Sequence, residues 1–438
     1  MKVGAITLGC KANAYDTESV LSLFEKRGYE IVREHGFADI YIINTCAVTN
    51  VAERKSRQAV ERVLKQNPDA VIIMTGCYAQ VKPLQVKELK NVAIVCGTRD
   101  RAKIVDMTEK YLKSNQKALA VTDSAKNYTF EDVDIVRFEG KTRVQLKIQD
   151  GCNNFCSYCI IPYARGRACS KPMERVLEQV DRIIAQDIKE IVLTGIHIAS
   201  YGKDIGGYGL TELLEAIYQR TDGTGVRIRL GSLDPRVVTE DFVKRISVLE
   251  RICPQFHLSL QSGCNTVLER MNRHYTAEEY MAGVELLRRY FDSPSITTDI
   301  IVGFPGETEE EFAQTLAFAQ RVGFAKIHIF PYSRRDGTVA AKMKDQIPKS
   351  VASEREKRLS AVESATRGAY IAATVGKRVQ VLFEEEKNVD GENCFCGYTP
   401  QYVYVGVKGQ KGLENTVRWV KIIGYNDELA IGELEEGV

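Results

Sequence analysis

Cys152, Cys156 and Cys159 fall within one run, Gln149-Asp150-Gly151-Cys152-Asn153-Asn154-Phe155-Cys156-Ser157-Tyr158-Cys159. Three thiolates at C-x3-C-x2-C spacing can wrap one face of an iron–sulfur cluster. No fourth cysteine completes the set. A closed structural site takes four ligands, so three leave one iron with a position where a small molecule can bind and react. Two plainer readings compete. Cysteine is a common core residue, and C-x2-C also occurs in zinc sites. Zinc needs a second ligand pair nearby, and none follows between Ile160 and Lys189. Gly151, Asn153 and Asn154 are loop formers, which puts the triplet on a loop after a strand. The cluster reading is preferred over zinc, and zinc over chance packing.

Three more cysteines share a position relative to strand-like runs. Cys10 follows the run 2–7, Cys46 follows 39–45 and Cys77 follows 70–75. Open α/β sheets bind ligands in the crevice at the carboxyl ends of their strands. Any one of these thiols alone reads as a buried structural cysteine. Cys10, Cys46 and Cys77 together read as a shared metal site. Cys96 also ends a strand-like run and is read as a spectator. Cys169, Cys253, Cys264, Cys394 and Cys396 show no ligand arrangement. The five histidines (35, 197, 257, 274, 328) show no ligand spacing either, and His257, on a strand, is the one to watch. No Ser-His-Asp set or phosphate-cradling glycine loop competes.

The elements that must position these residues alternate. Strand-like runs at 2–7, 39–45, 70–75 and 92–95 are separated by helical patterns at about 14–27, 50–66, 79–89 and 99–113. This predicts a doubly wound domain with a parallel sheet. Residues 114–141 are polar and irregular, with a possible short strand at 118–122. A boundary is expected near 125–140. A second alternating region has strands at 143–149, 190–194, 226–231, 256–260, 296–302 and 326–330. Helices are expected between them at 172–188, 210–220, 239–248, 276–290 and 308–322, with a last one at 351–373. Six units are two short of an eight-fold barrel, so a partial (β/α)6 barrel with a wide lateral opening is expected. After Gly376, strands at 379–383, 402–407 and 417–424 follow without helices, as in a small β-barrel of the oligonucleotide-binding type. The predicted domains are 1–125, 138–373 and 376–438.

The 438 residues carry 60 basic and 58 acidic side chains, net +2. Charge alone announces no nucleic-acid binder. The C-terminal domain has seven basic residues against eleven acidic ones, which weakens an electrostatic case for RNA there. Phe395, Tyr398, Tyr402, Tyr404 and Trp419 either stack on bases or form the barrel core. The opening residues 1–7 lack the long apolar core and cleavage site expected of a signal peptide, and no run of 18 apolar residues occurs, so the chain is expected to be cytoplasmic, with no membrane partner and with thiols kept reduced for metals.

The triplet, with Tyr158 before its last cysteine, resembles the radical S-adenosylmethionine signature. Three N-terminal cysteines, this signature and a small C-terminal β domain together resemble the methylthiotransferases nearly end to end. Further motifs agree: Pro162-Tyr163-Ala164-Arg165-Gly166-Arg167, Leu193-Thr194-Gly195, His257-Leu258-Ser259-Leu260-Gln261-Ser262-Gly263, Asp299 to Thr308 (DIIVGFPGET) and Phe330-Pro331-Tyr332-Ser333. The segment Thr7 to Glu18 (TLGCKANAYDTE) is most similar to the branch acting on N6-threonylcarbamoyladenosine in tRNA. The isopentenyladenosine branch tends to have Met before the Asn, and the ribosomal-protein branch Pro after the Cys. One departure is Ala168-Cys169-Ser170-Lys171, where the family usually has charged residues around the Ser.

The resemblance implies two 4Fe-4S clusters and S-adenosyl-L-methionine. Cys152, Cys156 and Cys159 would hold the cluster that binds and cleaves S-adenosylmethionine. Cys10, Cys46 and Cys77 would hold the auxiliary cluster that carries the transferred sulfur. All six are the expected catalytic residues. Tyr158, Thr194, Gly195, Ser232, Gln261, Gly303 and Phe304 are the expected cofactor pocket, with Asp234, Asp299 and Glu307 as possible hydrogen-bonders. Each of Thr194, Ser232 and Gly303 alone reads equally well as a helix cap or a turn requirement. Arg165, Arg167, Arg334 and Arg335 are expected to meet RNA phosphates, the alternative being ordinary surface charge. The C-terminal barrel, of TRAM type, would hold the tRNA anticodon stem-loop. An electron donor such as flavodoxin or ferredoxin and a sulfur source complete the partners. Rival readings are methylthiolation of isopentenyladenosine or of a ribosomal-protein aspartate, an iron–sulfur carrier or redox sensor, and a zinc-stabilised RNA-binding module.

Overall fold

The computed structural model describes residues 1–32, 36–124, 129–135, 141–389, 391–410, 412–426 and 429–435. His35 and most of the boundary expected near 125–140 lie outside them. Strands β1 (Lys2–Thr7), β2 (Glu30–Val32), β3 (Ile40–Thr45), β4 (Val71–Gly76), β5 (Val92–Cys96) and β6 (Ala118–Ala120) form one sheet in the order β2-β1-β3-β4-β5-β6. Every pairing is parallel. All of β3 is buried, as a strand covered on both faces requires. Helix α1 (Lys11–Lys26) covers one face through Val20 and Phe24, joined by Ile104 and Val105. Helix α2 (Asn50–Gln66) covers the other through Ala59, Val60 and Val63. Strand order reverses between β1 and β3, which makes their carboxyl ends the switch-point crevice where such sheets bind ligands.

The helix expected at 79–89 is two pieces, α3 (Cys77–Val81) and Pro83–Lys87. Pro83 has no N–H to continue the first helix but suits the first position of the second. Strand β2 was not expected, because three residues are too few to show a period.

The second region holds β7 (Arg143–Lys147), a two-residue hairpin of β8 (Gln149–Asp150) with β9 (Cys169–Ser170), then β10 (Glu190–Thr194), β11 (Arg227–Leu230), β12 (Gln255–His257), β13 (Ser295–Val302) and β14 (Lys326–Pro331). Strands β7, β10 and β11 form one parallel sheet and β12, β13 and β14 another. Parallel bridges Ile228–Ile252 and Leu233–Leu258 join the two. Six parallel strands therefore run side by side in chain order. The short helices Ile161–Arg165 and Asn265–Arg270 lay below the reach of periodicity.

Strands β15 (Arg378–Val389), β16 (Glu392–Tyr398), β17 (Tyr404–Lys408), β18 (Val417–Tyr425) and β19 (Ala430–Leu434) close into a barrel in the order β15-β16-β17-β19-β18. Three of the five were expected. The missed pair, ENCFCGY and AIGEL, are short and contain glycine, which weakens a strand pattern. Phe395 is barrel core, packed with Val381, Phe383 and Val420.

Candidate active site

The six parallel strands alternate apolar and polar residues. Val144, Leu146, Ile191, Leu193, Ile228, Phe256, Leu258, Ile296 and Ile300 pack outward with the helices in one core. The intervening residues face inward and are polar: Glu190 and Thr194, Arg227 and Arg229, Gln255 and His257, Thr297 and Asp299, Lys326 and His328. A period of two means that polar residues at alternate positions share one face. The inner face is thus a polar chamber instead of a packed core. Its cavity, about 740 Å³, is lined by Thr194, Gly195 and Ser232, by His257, Asp299 and His328, and by Cys10 and Lys11 from the N-terminal sheet. Tyr398, Tyr402 and Tyr404 of the C-terminal barrel close one side. All three parts of the chain meet there. His257 is fixed by Thr297 at 3.0 Å and Asp299 at 3.2 Å.

The Cys152/Cys156/Cys159 loop follows β8 and is held along its length. Gly151 has φ +70°, and a Cβ there would lie 2.0 Å from the Arg167 carbonyl oxygen. The Ser157 N–H donates to the Met271 carbonyl and its hydroxyl to that of Arg270. Asn272 Nδ2 donates to the Asn154 and Phe155 carbonyls. Half-buried Arg273 donates to Cys156 Sγ at 3.3 Å, to the Tyr275 hydroxyl and to the Ser259 carbonyl. A guanidinium bonded to sulfur favours the thiolate, the form that binds metal. Burial pushes the Cys152 thiol up to about 11 and raises Cys159 too, with neighbouring Cys156 adding repulsion in both. Three sulfurs that repel one another's charge want a shared cationic partner.

The second set meets at the switch point. Cys10 precedes α1, Cys46 follows β3 and Cys77 opens α3. Burial, with the charges of Cys77 and Cys10 adding to it, raises Cys46 to about 12. Cys10 likewise opposes ionisation of Cys77. The three thiols therefore lie within mutual electrostatic reach. Gly9 permits the approach: at φ +103°, a Cβ would sit 2.9 Å from Cys46 Cβ and 3.1 Å from its Sγ. Cys96 lies apart, buried with Val3, Val20 and Phe24. Among the described residues no three His, Cys, Asp or Glu side chains crowd together as ligands of a single ion do. A cubane asks for less crowding, because each thiolate meets a different iron.

One buried ionic network ties the two sets. Arg165 Nη1 donates to both Asp150 carboxylate oxygens at 2.9 and 3.0 Å, and Nη2 to Asp16 Oδ2 at 3.0 Å and to Asn13 Oδ1. Lys147 bonds Asp16 at 2.7 Å and Asp150 at 2.6 Å, and Arg101 reaches Asp16 at 3.1 Å. Burial alone would raise Asp150, but Arg165 and Lys147 outweigh it and hold it well below the usual carboxylate range. Asp150 stands two residues before Cys152, while Arg165 bonds and electrostatically favours the Cys77 thiolate. Glu131 takes the other side of Arg101 at 2.9 Å, so three cations meet three carboxylates and the network is balanced, with Arg165 the cation nearest the sulfurs.

Two family models match the chain: the radical SAM superfamily over residues 146–319, and a family described as uncharacterized, UPF0004, over residues 2–97. A protein of Bacillus subtilis named threonylcarbamoyladenosine tRNA methylthiotransferase MtaB is 41% identical, covering 96% of this chain and 93% of its own. One of the same name from Aquifex aeolicus is 38% identical over 95% of this chain and 99% of its own. This chain belongs to the radical S-adenosylmethionine methylthiotransferases. Relatives named tRNA-2-methylthio-N(6)-dimethylallyladenosine synthase stand further off, as in Carboxydothermus hydrogenoformans at 34% identity over 95% of each chain. Among solved structures, the radical S-adenosylmethionine methyltransferase TsrM of Kitasatospora setae shares the fold, with TM-score 0.56 at 15% identity over 78% of this chain and 75% of that one. As a family member the protein uses S-adenosylmethionine and 4Fe-4S clusters.

The methylthiotransferase cavity takes in Thr194, Gly195 and Ser232 of the expected pocket. Gly195 is a close-approach glycine, since a Cβ there would meet Gln149 O at 2.9 Å. Tyr158 packs edge-to-face on Phe304, 6.5 Å between ring centroids. The Phe304 side chain is fully buried, so that residue offers a ligand only its backbone. Gly303, at φ +70°, presses on Ala352 of the last helix and donates its N–H to Glu307. Buried Gln261, with φ +71°, bridges to Ile300. Glu307 is taken by Arg355 at 2.8 Å, and Asp234 by Arg236 at 2.8 Å and His197 at 3.2 Å. Both carboxylates support the site from behind.

Two expectations are corrected. Arg165 cannot meet RNA phosphates, because it is fully buried in the ionic network. Arg335 is likewise buried, donating to Glu53 Oε1 and the Ala47 carbonyl at 3.0 Å each. It straps the segment after β14 to the turn beyond Cys46. Arg167 and Arg334 are exposed, Arg167 over the Phe155 ring. In the departing segment, Ser170 bonds Asp204, and buried Lys171 bonds Gln179 and Asp132. The charged partners come from elsewhere in the chain. Sequence reading missed Arg273, Asn13, Asp16 and Lys11. Each sits in a turn or on a helix where a polar residue gives no periodic signal.

Proposed function

We propose that this protein adds a methylthio group to carbon 2 of N6-threonylcarbamoyladenosine at tRNA position 37, beside the anticodon. The observation that carries the reading is the pair of three-cysteine sets, joined by Arg165 and Asp150, with Cys10 lining the polar chamber. Cys152, Cys156 and Cys159 hold one cluster, and Cys10, Cys46 and Cys77 the auxiliary one. When bound, the clusters and S-adenosylmethionine supply reductive sulfonium cleavage and the sulfur and methyl that are transferred. Arg273 donates to Cys156 Sγ and Arg165 lies against Cys77, so each set has a guanidinium beside one of its sulfurs. The Thr194–Gly195 and Ser232 strand ends lie where cofactors bind on parallel β/α barrels, with Tyr158 against the adenine. Tyr398, Tyr402 and Tyr404 shield the chamber from water.

The domain assignment belongs to the same proposal: an N-terminal methylthiotransferase domain (1–125), a partial (β/α)6 barrel (138–373) and a TRAM-type barrel (376–438). The last would hold the anticodon stem-loop, with half-exposed Trp419 available for stacking on a base. The target base must leave its stack, at a cost of a few kcal/mol that is least in a loop. Among the described residues no helix is long and apolar enough to cross a membrane. A cytoplasmic place, a flavodoxin or ferredoxin as reductant and a separate sulfur source fit the chemistry. Nucleoside mass spectrometry on tRNA from a strain lacking the gene tests it. The methylthio derivative of threonylcarbamoyladenosine must vanish and return on complementation. Its persistence, or loss of the dimethylallyl derivative instead, rejects the acceptor.

A further inference from the structure

The two acceptors named for the relatives differ in one chemical group. A threonylcarbamoyl substituent ends in a carboxylate, whereas a dimethylallyl substituent is a hydrocarbon. A cavity built for the first must place a cation that nothing else in the protein neutralises. Four charged side chains line this cavity: Lys11, Asp299, Lys326 and Arg367. Asp299 is engaged by His257 at 3.2 Å. Lys326 and Arg367 share Glu363, at 2.9 and 3.4 Å. Lys11 has no carboxylate partner within ion-pair distance among the described residues. It follows Cys10 directly, at the start of α1.

We propose that Lys11 receives the carboxylate of the acceptor's side group and so selects an anionic substituent over a hydrocarbon one. The assignment rests on the methylthiotransferase reading given above. The surroundings of Lys11 favour an incoming anion. The wall behind it carries Arg229 and Arg143, with buried Glu190 between them. Glu190 is already bidentate to Arg229, at 2.7 and 2.9 Å, and bonded to Arg227 at 2.7 Å. Arg143 turns to Glu384 at 2.7 Å. The Lys11 side chain is exposed and lines the cavity, where an entering ligand can reach it. A carboxylate entering there would gain a charge-assisted bond to the ammonium. A hydrocarbon would strip its water and return nothing.

The test uses anticodon stem-loop RNAs with threonylcarbamoyladenosine and with its neutral carboxamide analogue, which has the same shape without the charge. Equilibrium binding to the cluster-loaded protein is measured at fixed ionic strength. Wild type should prefer the carboxylate by about tenfold. Lys11→Gln should bring the ratio to about one, and Lys11→Arg should keep most of it. The same ratio is measured on cluster-free protein, so a loading defect beside Cys10 does not hide the result. A ratio unchanged in Lys11→Gln overturns the assignment. If wild type also methylthiolates the carboxylate RNA, only the role of Lys11 falls. If wild type methylthiolates neither RNA, the reading of function falls with it.

Discussion

Replacing Arg165 by Met should cost about 3 kcal/mol of folding stability. Breaking a buried ion pair costs roughly 3–5 kcal/mol, because an uncompensated charge is left in the interior. Here the lower end applies. Without Arg165, Asp150 keeps Lys147 at 2.6 Å, and Asp16 keeps Lys147 at 2.7 Å and Arg101 at 3.1 Å. Asp16 and Asp150 thus each keep a cation partner, which holds the cost to the lower end even though Glu131 on Arg101 leaves three carboxylates facing two cations. What is lost is the bidentate bond to Asp150, the bond to Asn13 and the favourable field at Cys77. Arg165→Lys keeps the charge but not the fork, so it should fall between wild type and Met. Urea unfolding reads the cost as a lower midpoint at unchanged slope. Iron analysis should show the auxiliary cluster as the one more weakly held. The competing expectation, a phosphate contact, makes the opposite forecast. It leaves the midpoint alone, weakens RNA binding and reduces the salt dependence by about one ion. That outcome would refute the buried-network account.

Cys96→Ala should keep the full iron complement and lose about 1 kcal/mol of stability, whereas Cys46→Ala should lose half the iron; loss of iron from Cys96→Ala would make it a ligand. Gly9→Ala forces an L-residue to φ +103° and a Cβ into Cys46, so iron from the N-terminal set should fall while Cys152/Cys156/Cys159 loading persists. Burial alone would raise the Glu190 pKa, but Arg229 and Arg227 lower it from 4.5 to about 2. A folded value below the unfolded one means that this stability is complete above about pH 4.5 and drains as pH falls toward 2, at most about 3 kcal/mol. Denaturation series from pH 5 to pH 3 should therefore slope more steeply for wild type than for Glu190→Gln. Equal slopes would remove Glu190 as the source.

The regular elements were largely legible. Helices at 50–66 and 210–220 appear where the periodicity put them, and the six parallel strands of the second region lie within a residue or three of their runs. Long amphipathic segments carry their pattern locally, so neighbours in sequence suffice. What escaped was short or interrupted: β2, the β8–β9 hairpin, β16, β19 and the break at Pro83. The C-x3-C-x2-C loop could be picked out directly, because its three cysteines lie within eight positions. Cys10, Cys46 and Cys77 were grouped only by a shared place after strands, and the structure brings the three thiols within electrostatic reach because a parallel sheet gathers strand ends.

The sequence by itself therefore determined the sets of thiols and the layers that carry them. It could not determine what charged residues do, because a charge has no period and finds its partner through space. Arg165 and Arg335 looked like surface cations and are buried ties; Lys11, on no list of candidates, faces the chamber. Only tertiary structure decided which cations were already spoken for. That distinction rests on desolvation, which depends on what folds over a side chain rather than on its neighbours in the chain.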